Sequence, residues 1–114
     1  VKADFPVLEF KHVAELRRWL EGNHAAAPGI LVRIYKRDAG IASVSFEDVL
    51  DEGLCFGWSE SRRLKGDSVS YLQQFTPRKT KGTTSERNRQ HAERLIREGR
   101  MTAAGLRALG YPAD

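Results

Sequence analysis

The stretch Trp58-Ser59-Glu60-Ser61-Arg62-Arg63-Leu64-Lys65-Gly66-Asp67-Ser68-Val69-Ser70-Tyr71-Leu72-Gln73-Gln74-Phe75 decides the fold class. Its runs Glu60–Leu64 and Ser68–Phe75 are extended in character and flank Lys65-Gly66-Asp67. A glycine-bearing tip between two such runs signals a β-hairpin. Side chains alternate along a strand, so Val69, Tyr71 and Phe75 share one face and Gln73 is its polar interruption.

Working outward, Ile30-Leu31-Val32-Arg33-Ile34-Tyr35 is β-branched and aromatic, bounded by Gly29 and Gly40, and reads as a well-buried strand. Asp4–Phe10 alternates loosely; with Pro6 inside it, this can only be an edge strand. Between them, Val13, Leu16, Trp19 and Leu20 recur at helical spacing over Lys11–Glu21, and Gly22-Asn23 can turn the chain at its end. A second helix is signposted by Ser45 as its cap, by Glu47 and Asp48 in the first turn, and by Val44 placed to staple onto Val49. Phe46, Val49, Leu50, Gly53 and Leu54 line its inner face, and Gly57 ends it. Thr76–Thr84 reads as a basic loop. Ser85 caps a charged helix to about Glu98, with Ala92, Leu95 and Ile96 turned inward and Gly99 as its stop. Thr102 caps a last short helix, on which Met101 staples to Leu106. The expectation is an α+β fold: a small single domain over residues 1–114, with a short antiparallel sheet and a hairpin packed against about four helices.

Composition bounds the function. The chain has 114 residues, 40% apolar and 30% charged, which suits one globular domain and excludes wholesale disorder. No apolar run approaches a membrane span, and Val1–Pro6 lacks the layout of a signal peptide. Cys55 stands alone, so neither an internal disulfide nor a multi-cysteine zinc site can form, and a cytoplasmic location is expected.

The inventory of reactive residues is thin. Cys55 lies near a helix C-terminus among Leu54, Phe56 and Trp58, where dipole and burial both disfavour a thiolate; a core residue is the better reading. His12, His24 and His91 show no metal-ligand spacing. Glu47 with Asp51, and Asp48 with Glu52, are i, i+4 carboxylate pairs that could do acid–base work, against the commoner reading of a solvated acidic face. No phosphate-binding, dinucleotide or nucleophile-elbow motif is present. Two helices around Glu98-Gly99-Arg100-Met101 mimic a helix-turn-helix, but Arg107 is the second one's sole basic reader. Neither a catalytic residue, a metal nor a cofactor is expected.

Charge is the one asymmetry. Residues 1–57 carry seven Lys/Arg and nine Asp/Glu, and residues 58–114 carry twelve and six. An excess confined to one half points to an anionic partner, with a solvated face as the plain alternative. Trp58, Arg62, Arg63, Tyr71, Arg78 and Lys79 are the candidate anion-binding residues. Guanidinium forks suit phosphate or carboxylate, and aromatic faces suit a flat ligand or a base.

Several of the same residues carry a family resemblance. Trp19-Leu20-Glu21-x-Asn23-His24, Tyr35-Lys36-Arg37, Leu54-Cys55-Phe56-Gly57-Trp58, Tyr71-x-Gln73, Phe75-Thr76-Pro77-Arg78-Lys79 and Glu98-Gly99-Arg100-Met101-Thr102 occur in the order seen in the YdeI/OmpD-associated, or bacteriocin-protection, proteins. The chain resembles that family over about residues 13–110 and departs from it at Ser59-Glu60-Ser61, Gln74 and Thr84. The resemblance implies a small bacterial α+β protein linked to tolerance of antimicrobial peptides, without an assigned reaction. It also implies an N-terminal module lacking the family's C-terminal helical segment. The reading from sequence is therefore a non-catalytic binding or resistance module with a basic face over residues 58–81, whose partner is an anionic ligand, a nucleic acid or a protein. The alternatives are a nucleic-acid-binding domain, or an enzyme acting on a small anion near Trp58 with Glu60 as its base.

Overall fold

In the computed structural model, which describes residues 5–79 and 85–112, the first two strands run parallel. β1 (Val7–Leu8) pairs Val7 with Leu31 and Leu8 with Val32 of β2 (Ile30–Tyr35). Parallel neighbours need a crossover between them, and α1 (Val13–Asn23) supplies it. β2 then pairs antiparallel with β4 (Ser70–Pro77), and β4 with β3 (Trp58–Lys65), giving the order β1-β2-β4-β3. The sheet is mixed, so the expected antiparallel sheet is corrected at one edge. Pro6 cannot donate, but its carbonyl accepts from the Leu31 amide at 2.9 Å, the first rung of this ladder.

The helices follow their local signals. Ser45 caps α2 (Phe46–Phe56) in a complete capping box with Asp48, and Gly57 ends it at φ 77°. Ser85 accepts from the Asn88 amide at the start of α3 (Glu86–Arg97), and Thr102 from Gly105 in α4 (Ala103–Leu109). A one-turn 3-10 helix at Arg37–Ala39 follows β2. Ile96 departs from expectation: it is 42% exposed, while Ala92 and Leu95 alone on that helix are fully buried. The part of the basic loop at residues 80–84 lies outside the described residues, as does Asp4.

The core fills the side of the sheet from which Ile30, Val32, Ile34 and Phe75 project. There Trp58 meets Trp19 edge-on at 5.7 Å and Phe75 at 5.1 Å, and its Nε1 donates to the His24 carbonyl at 3.1 Å. Gly53 of α2 touches this layer, and a Cβ there would lie 2.9 Å from both Phe75 and the Trp58 carbonyl. The opposite side of the sheet is half-exposed along β2 and β4.

One contact sets how closely α4 approaches α2. Gly105 lies against the Leu54 and Cys55 carbonyls, and the amide and hydroxyl of Thr102 both donate to the Cys55 oxygen. That oxygen is among the last-turn acceptors a helix leaves orphaned, so Thr102 both caps α4 and satisfies α2. A methyl at residue 105 has no space. Gly105→Ala should lower unfolding free energy by about 1–3 kcal/mol, the usual range for overpacking, in equilibrium urea denaturation.

Candidate functional site

The hairpin contains a β-bulge that redistributes the candidate residues. Glu60 pairs with Phe75 and Arg62 with Gln74, leaving Ser61 extra. Strict alternation from core-facing Glu60 would turn Arg62 inward and Arg63 outward; one inserted residue reverses both. Arg63 then pairs with buried Gln73, and its guanidinium lies 4.0 Å from the centroid of the Tyr71 ring. Gln73 holds the bulge, because its Nε2 donates to the Arg62 carbonyl at 3.0 Å. Arg62 is exposed on the far side of the sheet beside half-buried Gln74.

The six candidates therefore do not form one face. Arg63 and Tyr71 meet. Trp58 is 1% exposed and belongs to the core, which corrects its assignment to a ligand-binding surface: two aromatic neighbours, Trp19 and Phe75, outcompeted exposure. Arg78 continues the ladder, its amide donating to the Gly57 carbonyl at 2.8 Å, so it and exposed Lys79 lie at the base of the hairpin. At ~3.3 Å per strand residue, that is on the order of 20 Å from Arg63.

Tyr71 lies at the border of something more concave. An open hollow of about 460 Å³ has Ile34, Phe46 and Tyr71 on its floor and Lys36, Arg37 and Glu47 exposed around it. Three elements build it. β2 and β4 place Ile34 opposite Tyr71; the turn after β2 supplies the cations; and the capped start of α2 supplies Phe46. The Lys36 ammonium donates to the Ser68 carbonyl, a neutral partner, at 3.1 Å. Among the described residues, neither Arg37 nor Arg63 makes an ion pair. A rim on which the cations outnumber the one carboxylate, Glu47, over an aromatic floor can hold an anion bearing a flat group. Lys36, Arg37 and Phe46 were absent from the candidates because they lie in other segments. The Tyr35-Lys36-Arg37 run was the available signal.

Three carboxylates of the acidic helix, unlike exposed Glu47, are engaged within the fold and depart from the expected solvated face. Glu52 is 1% exposed. Arg17 Nη1 donates to its Oε1 at 2.9 Å and Arg100 Nη2 to its Oε2 at 2.8 Å, while Arg17 also donates to the Arg100 carbonyl at 2.7 Å. Burial opposes charge on both arginines, but their carboxylate partners, Glu52 for both and Glu98 also for Arg100, raise both pKa values. Asp51 takes Arg94 at 2.8 Å, and Asp48 is spent on the Ser45 cap. None of these carboxylates faces the hollow. Neighbouring Cys55 is fully buried; burial first, then the Glu52 charge, push its thiol up to about 11, so it is no nucleophile at neutral pH. Among the described residues no group of three His, Cys, Asp or Glu side chains is arranged to hold a metal ion, and no helix is long and apolar enough to cross a membrane.

Against known proteins, residues 8–108 match the family model of a domain of unknown function, DUF8412. No curated protein and no solved structure matches the chain.

Glu52→Gln should lower stability by about 2 kcal/mol in urea denaturation, short of the roughly 3–5 kcal/mol of fully buried pairs because the arginines stay partly solvated. Their side chains are 28% and 34% exposed.

Proposed function

We propose that this chain, which belongs to the DUF8412 family, is a non-catalytic binding module that takes a small anionic ligand in the hollow beside Tyr71. The observation that carries the reading is the Arg63 guanidinium lying 4.0 Å over the Tyr71 ring at the edge of a hollow to which Lys36 and Arg37 contribute. A stacked guanidinium keeps its in-plane donors free for a carboxylate or phosphate, and its plane is fixed before the ligand arrives. The half-buried ring of Tyr71 and that of Phe46 offer apolar area to the rest of the ligand. In this reading Arg78 and Lys79 lie outside the site.

The resemblance to the YdeI/OmpD-associated proteins enters as part of the same proposal. A resistance role would run through an anionic ligand and not through capture of a cationic peptide, which Lys36, Arg37 and Arg63 would repel. The proposed setting is the cytoplasm, where a lone thiol stays reduced. Nucleic-acid binding is less favoured, since Trp58 is buried and Arg63 already covers one face of Tyr71.

The test is an amide-resolved NMR titration with inorganic phosphate and with adenosine monophosphate, at about 20 mM and about 150 mM salt. Expected are shifts at Lys36, Arg37, Phe46, Arg63 and Tyr71 that weaken with salt, the nucleotide binding more tightly than phosphate. Arg63→Ala should weaken binding about tenfold, the worth of one charge-assisted contact. Shifts absent from these five residues, or unchanged by Arg63→Ala, would overturn the proposal.

A further inference from the structure

The sheet's other side is independent of the hollow and has its own chemistry. Val7, Leu31, Leu64 and Leu72 project from it, and register places Val7 beside Leu31 and Leu64 beside Leu72. Val7 is 44% exposed and the three leucines are half-buried. Phe5 extends this apolar surface: Gly29 is so close beneath its ring that a Cβ would fall 2.8 Å from it.

The polar group in the middle of this face is already satisfied. Arg33 has Glu9 at 3.3 Å, Asp67 at 3.6 Å and the Ser70 hydroxyl at 2.9 Å. A guanidinium matched within its own chain loses little when a second surface covers it, whereas an unmatched one would resist burial. Charges of opposite sign lie at the two edges. Glu9 follows edge strand β1, and its carboxylate retains acceptor capacity beyond Arg33 and the Tyr35 hydroxyl. Arg62 projects from edge strand β3 with no ion pair among the described residues.

We propose that this face is the contact surface between two copies of the chain, stacked sheet on sheet about a two-fold axis parallel to the strands. That axis lays the β1 edge of each copy over the β3 edge of the other and brings Glu9 towards Arg62 at both ends. An axis across the strands would lay β1 over β1 and β3 over β3, setting edges of like charge against each other. The apolar rows meet at the ordinary sheet-to-sheet spacing of about 10 Å. Four strands ~4.8 Å apart and up to eight residues at ~3.4 Å make a plate of roughly 500 Å² in projection, small for a stable dimer. The association is accordingly weak and concentration-dependent.

Sedimentation velocity from about 10 µM to about 1 mM tests this, with circular dichroism confirming that each variant is folded. The wild-type chain should shift towards dimer mass as concentration rises, less so at high salt. Leu72→Lys should stay monomeric throughout. Arg62→Glu, at an exposed position that folding does not require, should weaken association at least about fivefold by setting like charges against Glu9. A wild-type chain monomeric over the whole range overturns the proposal, and so does a dimer that survives Leu72→Lys unchanged. A dimer indifferent to Arg62→Glu overturns the strand-parallel axis.

Discussion

A carboxylate with no access to water, held between two guanidinium groups, fixes how the helices sit. Glu52 projects from α2 into the junction of α1 and the α3–α4 connection, and Arg17 and Arg100 reach it from those two elements. Either helix could otherwise slide on its apolar stripe at little cost, since apolar contact is non-directional. A buried charge allows no such freedom, because moving an arginine leaves Glu52 without compensation. With α2 fixed, its capped N-terminus ends over the sheet where Phe46 meets Ile34 and Tyr71, and the hollow is a consequence.

A second constraint acts on the sheet. The extra residue at Ser61 and the Gln73 amide that satisfies the Arg62 carbonyl decide which arginine faces which way. The pair Arg62-Arg63 looks like one basic patch in a linear reading. In three dimensions the two serve opposite surfaces: Arg63 stacks on Tyr71 and Arg62 belongs to the uncovered side. An uncharged Gln buried in a strand is thus a register device, not a flaw in the hydrophobic pattern.

How much was legible follows from the range of each interaction. β2, the α2 cap and stop, the hairpin and the caps at Ser85 and Thr102 were all readable, because each is written within a few consecutive residues. The parallel pairing of β1 was not, since it rests on two residues and a crossover helix. Nor was the burial of Glu52, whose partners lie 35 and 48 positions away. Of the candidate residues, Arg63 and Tyr71 come together through the register, while Trp58 was misjudged because its neighbours Trp19 and Phe75 are distant in sequence. Lys36, Arg37 and Phe46 went unnoticed for the same reason: nothing local links them to the hairpin.

The lone thiol of Cys55 has a use that its chemistry alone would not suggest. It lies by Arg17, next to the carboxylate on which the helices converge, inaccessible and protonated. A water-soluble alkylating reagent can reach it only when the helical layer opens locally or the whole chain unfolds. The labelling rate in native buffer therefore clocks that opening, and its denaturant dependence distinguishes a local opening from global unfolding. The protein carries its own reporter of the helical layer, at a position where no probe need be engineered.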